Sequence, residues 1–183
     1  MIEQFSDKIA HIFWDMRIIS EQEITTFRYC FKIVFMLFIF LLCTLPVAFL
    51  INHELSALLF LFSFLLLRSV AGGFHTTTPE RCLLLSIISF FLFLFINFLY
   101  QSNLITSIIF LLATIIIVAK APMEAPNYPL SENKRKRHKI QCCILLIFLT
   151  VLYFSSIIFK ISFISASIFT TILFTCVAVL ITK

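Results

Sequence analysis

Apolar and polar positions along the chain fall into two regimes. Over the first thirty residues, Ile2, Phe5, Ile9, Ile12, Phe13, Met16 and Ile19 recur at helical spacing, with Asp7, Lys8, Asp15 and Arg17 between them. This spacing predicts an amphipathic helix over 1–30, lying at a membrane interface with Trp14 as an anchor. A substrate-binding role for the same segment is the other reading. From residue 31 the period disappears and long apolar runs take over. A spanning helix needs about 20 mostly apolar residues, and the runs predict six: 31–51, 54–72, 82–100, 104–119, 142–159 and 161–181. Pro46 falls inside the first, where neighbouring helices can tolerate a kink. The second run meets Arg68 after thirteen apolar or small residues, which reach only about 20 Å. Either Arg68 snorkels, or the span continues through Gly72 with the arginine at membrane depth. Linkers 52–53 and 101–103 are short, so successive helices are expected to be antiparallel neighbours. Segment 120–141 carries three prolines and no apolar period, and reads as a basic loop.

Composition agrees. The chain has 183 residues, 61% hydrophobic and 13% charged, with 24 phenylalanines. Soluble domains are roughly 45–50% apolar, so the expected class is an all-α, polytopic membrane helix bundle of one domain. Residues 1–30 mix charge throughout and lack an apolar core segment, so no cleaved signal peptide is expected. With the N-terminus inside, thirteen of the fourteen Lys and Arg face the cytoplasm and only Lys160 faces out. Both termini are therefore expected in the cytoplasm of a plasma-membrane protein, with no nucleic-acid partner. Cys30, Cys43, Cys142, Cys143 and Cys176 sit in or beside apolar runs and read as small buried hydrophobes rather than a disulfide framework.

The chemistry gathers in RSVAGGFHTTTPERC, residues 68–82, which holds both glycines of the chain. A threonine followed by Pro-Glu starts a helix. Thr78 as the cap puts Pro79 at the first helical position, while Thr77 as the cap makes a capping box with Glu80. Either way Cys82 falls in the first turn of a span, where the helix dipole and unpaired amides favour negative charge and so a reactive thiol. The bent linker can bring His75 back onto it, giving a base beside a nucleophile. Gly72 and Gly73 permit backbone conformations closed to other residues and an approach of amides to a substrate carbonyl. The plainer readings are a buried thiol, an interfacial histidine and glycines that let helices pack closely. No third or fourth ligand lies nearby for zinc, and no metal or cofactor is expected.

Arg68, Gly72, Gly73, His75 and Cys82, in R-x3-GG-x-H-x6-C, together with Ala121–Pro122, Pro129 and the basic run Lys134–Lys139, resemble the accessory gene regulator B family of bacterial membrane peptidases. The multi-span layout is similar along nearly the whole chain. Phe74 departs from the tyrosine expected there in many relatives. The resemblance implies a thiol endopeptidase, with His75 and Cys82 as the catalytic pair, that removes the acidic C-terminal tail of a small quorum-sensing propeptide and closes a thiolactone or lactone ring. It also implies a homodimer in a Gram-positive bacterium. Arg68 has two readings, a snorkelling cap or a ligand for substrate carboxylate or backbone. Glu80 reads as a helix-start carboxylate or an orienter of the histidine. For Lys134, Arg135, Lys136, Arg137 and Lys139 the readings are topology and attraction to anionic lipid, or docking of an acidic peptide tail. The competing functional class is a small non-enzymatic transporter or channel, against which the spans carry almost no ionisable groups.

Overall fold

The computed structural model describes residues 2–72, 79–123 and 132–181. Among these the chain is all-α: α1 Ile2–Asp15, a 3-10 turn Glu21–Glu23, α2 Ile24–Leu50, α3 Glu54–Ala71, α4 Pro79–Leu99, α5 Leu104–Lys120, α6 Glu132–Ile158 and α7 Ser162–Ile181. Five of these helices are long and apolar enough to cross a membrane, and α5 is a shorter apolar helix of 17 residues. That is the architecture of a polytopic membrane protein. The chain divides into two compact units, residues 1–47 with 76–90, and residues 48–75 with 91–183, so the boundaries fall within α2 and α4.

In the first unit the amphipathic segment is not one helix over 1–30. It stops at Asp15, Arg17 takes a left-handed backbone (φ 58°), and the chain restarts as the 3-10 turn. The restart is local chemistry. The Glu23 carboxylate accepts hydrogen bonds from the Ser20 amide (3.0 Å) and the Ser20 hydroxyl (2.7 Å). Those bonds hold the Glu23 carboxyl below its ordinary pKa. Helix α2 then begins seven residues ahead of the expected Phe31. The apolar stripe of α1 is divided between two surroundings. Phe5 packs on Phe35 (4.9 Å between ring centroids) and Phe13 on Phe27 (5.0 Å). Ile12, Trp14 and Met16 stay exposed. Phe40 of α2 meets Phe90 of α4 edge to face at 6.2 Å, with Phe90 fully buried. Pro46 stays inside α2.

The second unit is built around α7, which packs against α3, α5 and α6. Its core includes Leu67, Phe110, Ile117, Leu146, Tyr153, Ile168 and Ile172. Small and hydroxylated side chains line the α3–α7 seam. Ser63 and Thr171 share a hydrogen bond of 2.8 Å, and the Ser167 hydroxyl donates to the Ser56 carbonyl at 3.0 Å. Lipid offers no hydrophobic drive for helix association, so close backbone approach and interhelical hydrogen bonds must supply it. Tyr153 stacks on Phe110 at 4.0 Å and receives a hydrogen bond from Tyr100. Asn103 starts α5 by a reciprocal cap: its Oδ1 accepts from the Thr106 amide and its own amide donates to the Thr106 hydroxyl.

The loop expected over 120–141 is cut short, because α6 begins at Glu132 and carries the basic run on its first turns. Lys and Arg are good helix formers, and beyond Pro129 nothing in the sequence breaks a helix. Cys30 and Cys43, expected to be buried, are exposed along α2, whereas Cys142 and Cys176 are buried. Cys43 lies inside the apolar run of α2, where a thiol is tolerated as a small hydrophobe.

Candidate functional site

Cys82 is the fourth residue of α4 and is partly buried. Its carbonyl accepts from the Ser86 hydroxyl at 2.9 Å. At that end the first four amides of a helix have no partner within it, and Cys82 is seated in that turn. Glu80 and Arg81, which precede it, are exposed. His75, Gly73 and the candidate caps Thr77 and Thr78 lie outside the described residues.

Arg68 stands in the last turn of α3, with its guanidinium carbon 5.8 Å from the centre of the Phe64 ring. Gly72 ends that helix. Its amide still donates to the Arg68 carbonyl at 3.0 Å, but its backbone turns to φ 71°, ψ −153°, a region that is essentially reserved for glycine. There is a second reason for glycine here. A Cβ on this residue would collide with the Met123 carbonyl oxygen. The Met123 amide in turn donates to the Ala71 carbonyl at 2.9 Å. The end of α3 and the segment after α5 are thus tied backbone to backbone.

The basic run is divided by role. Lys134, Arg135, Lys136 and Arg137 are exposed on the first turns of α6. Lys139 is half-buried, and its ammonium donates to the Ala121 carbonyl at 2.7 Å and to the Val118 carbonyl. The last carbonyls of α5 have no partner within the helix, and Lys139 supplies one while its charge favours the negative end of the dipole. A surface cavity of about 430 Å³ opens beside it, lined by residues that include Lys120, Pro122, Arg135, Lys136 and Lys139. It lies in the same unit as Gly72 and Arg68.

Two of these features carry no local signal. Met123 is 51 positions from Gly72, and neither the strap between them nor the capping by Lys139 follows any periodicity. The proline at 122 and the glycine pair mark only that the backbone changes course at both places.

No solved structure matches the chain. It is similar to a protein of Clostridium perfringens strain SM101 whose name calls it AgrB-like, 34% identical over 102 residues, 49% of this chain and 46% of that one. An AgrB-like protein 2 of strain 13 of the same species is 33% identical over 100 residues, 48% of this chain and 45% of that relative. The matched stretch therefore spans about half the length of each relative. The model of the family described as accessory gene regulator B matches residues 3–182, nearly the whole sequence, and the chain belongs to that family.

Proposed function

We propose that the chain is a membrane cysteine endopeptidase that cleaves the acidic C-terminal tail from a small quorum-sensing propeptide and cyclises the remainder. The observation that carries this reading is the seat of Cys82 in the first turn of a membrane helix, where the helix amides have no partner within the helix, in a chain of the accessory gene regulator B family.

The chemistry needs one base. His75 takes the proton from the Cys82 Sγ, and the thiolate attacks the scissile carbonyl. The peptide C–N bond breaks as His75 returns the proton to the leaving amine. The acyl group is then held as a thioester on Cys82. A cysteine thiol or serine hydroxyl of the bound peptide gives its proton to His75 and attacks that thioester, closing a thiolactone or lactone. Cys82 leaves as the thiolate and recovers its proton from His75. Ring closure prevails over hydrolysis only where water is excluded. Gly72 and Gly73 supply close-approaching backbone, Arg68 holds substrate carboxylate or backbone, and Glu80 orients the histidine. Tail docking falls to Lys134, Arg135, Lys136, Arg137 and Lys139, the last of which also bonds the end of α5. The protein acts as a homodimer in the plasma membrane of a Gram-positive bacterium, with both termini in the cytoplasm.

Cys82→Ala and His75→Ala each abolish propeptide processing, assayed by mass spectrometry of the peptide, while membrane insertion is unchanged. A trimmed or cyclised peptide released by the Cys82→Ala protein overturns the mechanism.

A further inference from the structure

Resting on the peptidase reading above, we propose that Lys139 is a positioning residue of the reaction as well as a docking one: its ammonium seats the strap of residues 121–123, and the strap fixes the backbone at Gly72, three residues ahead of His75 in the chain. Lys139, the strap and Gly72 all belong to the second unit.

The strap cannot hold its own course. Helix α5 closes with the Ala121 amide donating to the Ile117 carbonyl at 2.8 Å. Ala121 then turns extended, at φ −74° and ψ 150°, and Pro122 follows with no N–H to donate. Ala121 is only 3% exposed, so its carbonyl needs a donor from within the protein. Lys139 supplies one from 18 positions further along, at 2.7 Å, and bonds the Val118 carbonyl as well. An ammonium carries three donors. One side chain therefore holds both the last turn of α5 and the first residue beyond it, which sets the direction in which the chain leaves the helix.

Two residues later that direction reaches Gly72. The Met123 amide donates to the Ala71 carbonyl at 2.9 Å, and the Met123 carbonyl oxygen occupies the space that a Cβ on Gly72 would fill. Both contacts depend on where the strap delivers Met123. Removing the Lys139 donor leaves the Ala121 carbonyl without its partner, and the strap gives at the point where it is tied to α3. Acyl transfer is sensitive to such shifts, since a misplacement of about 1 Å can cost about a hundredfold in rate. Lys136 lines the same cavity from the exposed start of α6, and its part is docking alone.

The test is steady-state processing by the full chain in proteoliposomes of two propeptides, one with its acidic tail and one with the tail carboxylates replaced by amides. Lys139→Met lowers kcat at least about tenfold on both peptides, and Lys139→Arg restores most of the loss. Lys136→Gln instead raises KM, and only for the acidic-tailed peptide. Amide hydrogen exchange reads the strap without need of activity. In Lys139→Met the Met123 amide exchanges at least about tenfold faster, while the capped Thr106 amide at the other end of α5 is unchanged; Lys136→Gln alters neither. A loss in Lys139→Met confined to KM for the acidic-tailed peptide assigns the lysine to docking only and overturns the proposal. Unchanged exchange at Met123, or a Lys139→Arg chain no more active than Lys139→Met, overturns it too. A wild-type chain that processes neither peptide overturns the peptidase reading instead, and the exchange result still decides whether Lys139 holds the strap.

Discussion

Helices α4 and α7 are nearly equal in length, 21 and 20 residues, and both are apolar enough to cross a membrane. Their fates differ. In the most apolar stretch of α7, 61% of residues are buried inside the protein, against 11% in α4. The difference follows from the small polar residues. On α7, Ser165, Ser167, Thr170, Thr171 and Thr175 are buried, and two of them reach across to α3. On α4, Ser86 and Ser89 spend their hydroxyls on carbonyls of their own helix, and large side chains such as Phe95 and Phe98 stand exposed. Inside a bilayer, apolarity decides that a helix inserts, and small hydroxylated residues decide which helix becomes the centre. The exposed helix is the one that carries the candidate nucleophile at its end, so scaffold and chemistry rest on different elements.

Substitutions sharpen the contrast. The largest effect is expected at Ile172 of α7, which is fully buried. Ile172→Ala leaves a cavity and costs about 2–5 kcal/mol. Ile88→Ala on α4, where the side chain is 46% exposed, stays within roughly 0.5 kcal/mol. Equilibrium unfolding in detergent measures both, and equal losses would break the comparison. Next comes the rim of the α7-centred unit. Gly72→Ala forces a side chain into a glycine-only conformation and against Met123, at a cost of roughly 1–3 kcal/mol. A stable Gly72→Ala protein would show that the strap between α3 and the segment after α5 yields freely. The smallest effect belongs to the seam itself. A double-mutant cycle over Ser63→Ala and Thr171→Val is expected to return a coupling of about 0.6 kcal/mol. The same cycle over Ser63→Ala and Ser86→Ala returns none, because the Ser86 hydroxyl bonds within α4.

Much of this was legible in the residues because membrane insertion is a composition rule applied over about twenty positions. The fold class follows from it, as does the concentration of polar chemistry in residues 68–82. Helix ends were less legible. Helix α2 starts at Ile24 and α6 at Glu132, ahead of the apolar runs they contain: α2 follows directly on the Ser20–Glu23 capping box, and the first turns of α6 are rich in Lys and Arg, which are good helix formers. The amphipathic pattern of residues 1–30 hid a break at Arg17, since a single left-handed residue leaves no trace in a hydrophobic period. The candidate site was legible as a motif and partly as geometry. Gly72 is where the backbone demands glycine, and Cys82 is in the first turn of its helix. The duty of Lys139 was hidden within a run of like charges, where only its distance to the α5 carbonyls sets it apart.

The sequence by itself determined that this chain enters a membrane as helices, where its positive charges collect, and which fifteen residues hold both glycines and the candidate His75 and Cys82, because those properties are sums over local composition and spacing. Only the tertiary structure decided that α7 is the buried helix, that Gly72 is pinned by Met123, and that one lysine of the basic run caps a helix while its neighbours stay exposed. Each of those depends on contacts between residues dozens of positions apart, which packing selects and no local pattern encodes.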